Sequence, residues 1–300
     1  MSYSIEDSPL HGLPSKKKLC DLLFVHPNRL RALMSDSEYR REWWTKSGRL
    51  IEEPLDSLKA VQGRIKELVS RIQHPAWLYS GVRGKSYIDN AEQHAGQQCL
   101  CSIDIDSFFQ STRKEYVFRF FRYLLCQPED VAWAVSDLAT YKNHLPTGGS
   151  PSSQALAFWA YRPMFELMHE KVQELGGVLT LYVDDIAIST DDRLTDDAFS
   201  SLEGVMSGFE LRINESKTER RGREQWKVVT GAAISPTGSL DVPNRLRKKI
   251  YDHITLLKEG SLDESGVLRL LGLLTSARQI DHSFHDSLYR YVRYLARSLR

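Results

Sequence analysis

Three aspartates and a lysine carry the chemical signal of this 300-residue chain. The run Cys99-Leu-Cys-Ser-Ile-Asp104-Ile has strand character, so Asp104 falls at a strand's C-terminal end, just before an aromatic-rich helix expected over Phe108–Cys126. Ser107 and Gln110 stand in capping-box spacing at that junction. Val178–Val183 and Ile186–Ser189 are two more strand-like runs separated only by Asp184 and Asp185, which predicts a hairpin with an acidic tip. Aspartate is a common turn residue, and an exposed turn without chemistry is the plain alternative. Apolar sequence on both sides argues against it, because unpaired charge beside buried strands is costly unless a cation compensates it. Three carboxylates at neighbouring strand ends make an all-oxygen site for hard divalent ions. Mg2+ suits such a site because it takes few carboxylates and completes its shell with substrate phosphates. Two such ions about 3.5 to 4 Å apart stabilise both the attacking and the leaving oxygen of an in-line phosphoryl displacement, which is polymerase chemistry.

These residues need elements to hold them. The sequence from Leu19 to about Arg49 is patterned as a polar helix, and Arg49-Leu-Ile-Glu-Glu-Pro54 is extended because a residue before proline is pushed out of the α region. Leu58, Val61, Ile65, Leu68 and Ile72 recur at spacings of three and four, which predicts one helix face ending near Gln73. Gly81 and Gly84 beside Arg83 and Lys85 make a flexible basic loop able to wrap a phosphate, with a solvated turn as the alternative. After Pro243 three apolar stripes follow: Leu246, Ile250, Ile254, Leu257; Val267, Leu270, Leu271, Leu274; and Phe284, Leu288, Tyr291, Val292, Leu295. On the last of these, Arg290, Arg293, Arg297 and Arg300 share a face suited to a polyanion.

Composition bounds the rest. With 41% hydrophobic and 26% charged residues the chain is an ordinary globular one, and its net charge of +1 restricts any nucleic-acid surface to local patches. No run approaches the roughly 20 apolar residues of a membrane span, so a cytoplasmic chain without a membrane partner is expected. Cys20, Cys99, Cys101 and Cys126 have neither disulfide-framework nor zinc spacing.

The motifs resemble those of reverse transcriptases. Tyr182-Val183-Asp184-Asp185 is similar to the family's Tyr-x-Asp-Asp box, and Asp104-Ile105-Asp106-Ser107-Phe108-Phe109 to the motif that supplies its first metal-binding aspartate. Leu145-Pro-Thr147-Gly148-Gly149-Ser150-Pro-Ser-Ser153 resembles the Leu-Pro-Gln-Gly-x-Pro-x-Ser segment that lines the nucleotide and template pocket, with Thr147 in place of glutamine and one residue more. Asn214-Glu-Ser-Lys217-Thr resembles the motif whose lysine approaches pyrophosphate. Asn90-Ala-Glu-Gln-His94 and Val229-Thr230-Gly231 match the Asn-Ala-x-x-His and Val-Thr-Gly elements of bacterial retron reverse transcriptases.

The resemblance implies an α+β right-hand polymerase. Its fingers would span residues 1–98, its palm 99–235 with a fingers insertion at about 112–145, and its helical, RNA-binding thumb 236–300. It implies two Mg2+ ions on Asp104, Asp184 and Asp185 with the Ile105 carbonyl, and Lys217 at the pyrophosphate. Phe109 would lie beneath the sugar, Arg83 and Lys85 on the triphosphate, and Thr147, Gly148, Gly149 and Ser150 at the nucleotide pocket. Asn90, His94, Val229, Thr230, Gly231, Arg245, Lys248, Lys249, Arg290, Arg293 and Arg297 form the expected RNA-binding set, Asn90 and His94 as scaffold. The partners implied are a cognate noncoding RNA (msr-msd), its msDNA product, dNTPs, and a toxin or effector protein in antiphage defence. Alternatives are another defence-associated or diversity-generating reverse transcriptase, or a catalytically silent scaffold for RNA or effector.

Overall fold

The computed structural model describes residues 2–35 and 38–299. The segment expected to be helical from Leu19 to Arg49 divides instead into α1 (Lys16–Leu23), α2 (Pro27–Met34) and a strand, β1 (Arg40–Trp44). Phe24, in a left-handed conformation, ends α1, and Pro27 opens α2 where a missing N–H costs nothing. Two adjacent tryptophans, bulky and poor in helix preference, then favour the extended form.

β1 pairs antiparallel with β2 (Leu50–Pro54), from Arg40 opposite Pro54 to Trp44 opposite Leu50, with its tip at 45–49. The expected extended run is therefore the second strand of a hairpin. On its other side the Glu52 N–H donates to the Thr147 carbonyl at 2.9 Å, and a parallel bridge joins Glu52 to Gly148. The hairpin is thus docked on the Leu145–Ser153 segment. α3 (Asp56–Val69) buries Leu58, Val61, Ile65 and Leu68 as their spacing predicts, with Ile72 buried in the turn that follows. α4 (Tyr87–Glu92) opens on a capping box between Ser86 and Asp89.

The central sheet is antiparallel in the order β4-β5-β3-β6, built from β3 (Cys99–Asp104), β4 (Val178–Tyr182), β5 (Asp185–Thr190) and β6 (Glu219–Arg221). Between β3 and β4, the helix expected over Phe108–Cys126 breaks at Thr112. It becomes α5 (Phe108–Ser111), α6 (Lys114–Arg119) and a π-helical turn at Phe120–Leu124. No capping box forms at Ser107, whose backbone is left-handed and whose hydroxyl donates to Asp106. α7 (Glu129–Ala139) and α8 (Ser153–Glu174) complete the helical layer, α8 packing on β4 and on α9 (Asp196–Gly208). The principal core joins α1, α3 and α6 to α9 with the inner face of this sheet.

A second, three-stranded sheet, β7 (Lys227–Val229), β8 (Ala232–Ile234) and β9 (Leu240–Asp241), leads to α10 (Asn244–Lys258), α11 (Glu264–Ile280) and α12 (Asp286–Ser298). These three helices enclose their own core around Ile250, Leu270, Leu274, Phe284 and Val292. Tyr291, expected in that stripe, is exposed, because it stands one residue, about 100° of helix, from the buried Val292. The α+β class is as expected. No described helix is long and apolar enough to cross a membrane.

Candidate active site

Strand register brings the carboxylates together. Asp104, the last residue of β3, lies opposite Asp185, the first of β5, and Tyr182 of β4 pairs with that same Asp185, so the hairpin turn is Val183-Asp184. Val183 has φ +60°, a left-handed conformation that a β-branched residue rarely adopts. Two bonds hold it: the Val183 N–H donates to Ser80 Oγ at 2.8 Å, and the Ile105 N–H donates to the Asp184 carbonyl at 3.2 Å. Such strain is held where surrounding structure fixes it, commonly at a working site.

Two clefts meet here. One, of about 570 Å3, is lined by Asp104, Asp184, Phe109, Thr147, Lys217 and the tip of the β1–β2 hairpin; the other, of about 460 Å3, by Asp104, Asp185, Lys217, Thr230, Gly231 and Arg245. Asp104 is the ridge between them. Lys217 Nζ sits 3.1 Å from both oxygens of Asp104, and that contact raises its pKa. Loss of hydration, reinforced by Asp104, raises the Asp184 carboxyl, and the same causes with Asp184 added push Asp185 up to about 6, although Asp185 opens to solvent. No trio of Asp, Glu, His or Cys among the described residues forms a preformed metal centre, because Asp184 and Asp185 face different clefts. The donor set nevertheless fits hard divalent cations: three oxygen-bearing side chains whose mutual repulsion is answered by one ammonium.

Of the other expected residues, Phe109 is half-buried in the first cleft while its neighbour Phe108 is buried against Tyr161 and Phe165. Thr147 lines the same cleft, whereas Gly148 and Gly149 face the hairpin: a Cβ on Gly148 would lie 2.5 Å from Ile51, and one on Gly149 2.7 Å from the Glu53 Cα. The Ser150 hydroxyl pairs with Ser152. Neither Arg83 nor Lys85 lines either cleft. Lys85 Nζ instead donates to the carbonyls of Ala76 and Leu78 and stacks over Tyr79, closing its own loop. Arg49 lines the first cleft beside Lys217, and its charge partly offsets the rise of the Asp184 carboxyl. Its signal in the sequence was a cation directly after Gly48, at the turn of a hairpin that had been read as a helix end.

The Asn-Ala-x-x-His element also proves internal. His94 is fully buried, its Nδ1 2.6 Å from Ser189 Oγ and its Nε2 2.7 Å from Thr180 Oγ1, so it bolts α4 to the central sheet and touches no solvent. Asn90 is buried too, and its amide donates to Thr230 Oγ1 at 3.3 Å. Thr230 Oγ1 in turn donates to the Tyr87 carbonyl. Thr230 and Gly231, with φ +47° and +92°, form the two-residue turn between β7 and β8. Val229 is largely buried and lines the second cleft together with Thr230 and Gly231. Arg245, Lys248 and Lys249 are exposed on α10, and Arg290, Arg293 and Arg297 on α12; Arg300 lies outside the described residues. Arg290 pairs with Asp286, an acid on the same helix.

No family model matches the chain. Among curated proteins it is 32% identical over 178 residues to the Retron Se72 reverse transcriptase of Salmonella heidelberg, covering 58% of this chain and 47% of that one. It is 26% identical over 296 residues to the Retron Ec86 reverse transcriptase of Escherichia coli, covering 94% and 90%. The Retron Ec73 reverse transcriptase of Escherichia coli is 24% identical over 260 residues, covering 81% and 82%. The chain thus spans about half the length of the first of these relatives and nine tenths of the second. Among solved structures, apo telomerase from Candida tropicalis, truncated from its C-terminal domain, superposes with a TM-score of 0.38 at 11% identity, over 48% of this chain and 35% of that one.

Proposed function

We propose that the chain belongs with the retron reverse transcriptases and is an RNA-directed DNA polymerase that copies part of a cognate structured noncoding RNA into single-stranded DNA, a reading supported by its similarity to those enzymes. The observation that carries the reading is the meeting of Asp104, Asp184, Lys217 and Phe109 in one cleft beneath a docked hairpin. The fold is the α+β right hand of polymerases, with β3, β4 and β5 as the palm floor. Residues 1–98 serve as fingers, 99–235 as palm with the 112–145 insertion, and 236–300 as thumb.

Asp104 and Asp184 are the principal holders of two Mg2+ ions, assisted by Asp185 and the Ile105 carbonyl. When bound, the ions supply charge that activates the attacking hydroxyl and steadies the leaving pyrophosphate. Lys217, its proton firmly held, is the nearest cation to follow that leaving group and can give it charge or a proton from Nζ. Arg49, which lines the cleft, acts with Arg83 and Lys85 on the triphosphate, as a forked donor facing phosphate oxygens. Phe109 lies beneath the sugar, where a ring excludes a ribose 2'-hydroxyl.

The template is an msr-msd transcript, the product is msDNA, and the substrates are dNTPs. The complex works in the cytoplasm within antiphage defence and restrains a toxin or effector protein from the same locus. Kinship with retron enzymes supports these last points. The test is to purify the protein from its native locus, sequence the bound nucleic acid with and without ribonuclease and debranching treatment, and assay primer extension on RNA. A branched RNA–DNA species is expected in the wild type and none in the Asp184→Ala, Asp185→Ala variant. DNA synthesis that persists in that variant would overturn the assignment of the site.

A further inference from the structure

Trp44 is 68% exposed, whereas Trp77 and Trp159 are buried in the core. Adjacent residues of a strand point to opposite faces, so Trp43 and Trp44 have different surroundings. Trp44 pairs with Leu50 at the hairpin tip, and both line the cleft that holds Asp104 and Asp184; Trp43 does not. An apolar ring left open in a polar, acid-lined cleft is a cost to the free protein, and among the described residues no ring or cation stacks on it.

Consider how a nucleotide fills this cleft. The cations that line it among the described residues are Arg49 and Lys217, and Asp104 and Asp184 line it with them. Phosphates and their counterions belong with these charged groups, and the sugar at Phe109. Of the other side chains that line the cleft, Trp44 is the large exposed ring available to the base. A templated polymerase must accept four different bases in one place. Protein hydrogen bonds to base edges would discriminate among them, while a ring face stacks on any of them.

We infer that Trp44 is the stacking surface for the base of the incoming nucleotide, a role that rests on the polymerase reading above. Because stacking grows with shared ring area, Trp44 also biases the enzyme toward purine nucleotides. It sets nucleotide affinity without touching the reacting atoms.

The test is single-nucleotide incorporation of dATP and dTTP on an RNA template with a DNA primer, comparing wild type, Trp44→Ala and Trp44→Phe. The expected result is a KM for dATP raised about 5- to 100-fold in Trp44→Ala, a smaller rise for dTTP, little change in kcat, and partial rescue in Trp44→Phe. Each assay is repeated on templates that end at the templating base and on templates with a longer single-stranded 5' extension. A defect seen only with the extension would assign Trp44 to the template strand, and an unchanged KM would leave it no substrate role; either overturns the inference. Quenching of tryptophan fluorescence by dATP, expected in wild type and reduced in Trp44→Phe, reads the contact without turnover. An inactive wild type that still shows this quench would sink the polymerase reading while leaving the stacking contact standing.

Discussion

His94 shows what a motif residue can do without touching substrate. Burial pushes its pKa down to about 4, while an unfolded chain holds it near 6.5, so the unfolded state binds the proton first as the solution is acidified. Its contribution is complete above about pH 6.5 and is lost as pH falls toward 4, by up to ~3 kcal/mol. Urea unfolding at pH 7 and pH 4.5 should show this loss in wild type, and His94→Gln should flatten it; an unchanged slope would mean that the imidazole is not held neutral. The element was legible in the sequence as a unit, but its direction was not, since a turn of four residues cannot reveal that Ser189 and Thr180 receive the ring from inside the sheet. The meeting of Asp104, Asp184 and Asp185 was legible because strand ends and a two-residue turn are local facts. Arg49 was not, because its place in the cleft depends on a hairpin docking onto residues nearly a hundred positions away.

At the scale of elements, the docking of that hairpin is the contact on which the cleft depends. The Glu52 carboxylate, buried between strands, accepts from the Thr147 N–H at 3.0 Å and from His144 Nε2 at 2.9 Å. Burial alone would raise the Glu52 pKa, but the bonds from His144 and Thr147 outweigh it and hold it below the ordinary value; the bond to Glu52 raises that of His144. The Glu52 part of the stability is present above about pH 4.5 and is lost as pH falls through its folded value. The His144 part is present below about 6.5 and is lost as pH rises through its own. His144→Gln should therefore remove stability at pH 6 and much less at pH 9, as read from urea midpoints. Gly149 tests the same joint sterically: Gly149→Ala places a methyl against the Glu53 backbone, which cannot yield as a side chain would, and should cost ~1–3 kcal/mol and reduce primer extension with the fold retained. The sequence marked Arg49–Pro54 as extended and the Leu145–Ser153 segment as pocket, yet not that the two pair. The preceding stretch was misread as one helix because polar spacing alone does not separate two short helices from an edge strand.

Across the whole molecule, charge is nearly balanced, so the proposed RNA binding would have to come from placement rather than net field. The three C-terminal helices could be read from their stripes because each apolar face is local and continuous, and they build a core of their own. Their tie to the rest includes the Tyr87 hydroxyl, which donates to the Ser276 carbonyl of α11 at 3.3 Å and so links α4 to the C-terminal helices. On α12 the arginines are not equivalent. Arg290 faces Asp286, which also pairs with Arg278 at 2.7 Å, so its charge is already partly answered. Arg293 and Arg297 are exposed with no carboxylate among their described ion pairs, and Tyr294, 67% exposed, stands between them in sequence. Each phosphate contact adds about one unit to the dependence of log affinity on log salt. Arg293→Gln with Arg297→Gln should therefore shallow that slope by about 2 for a structured RNA titrated between 50 and 200 mM salt, and Arg290→Gln should shallow it less. Equal slopes in wild type and the double variant would remove α12 from the RNA interface and leave Arg245, Lys248 and Lys249 of α10, beside the second cleft, to hold the strand alone.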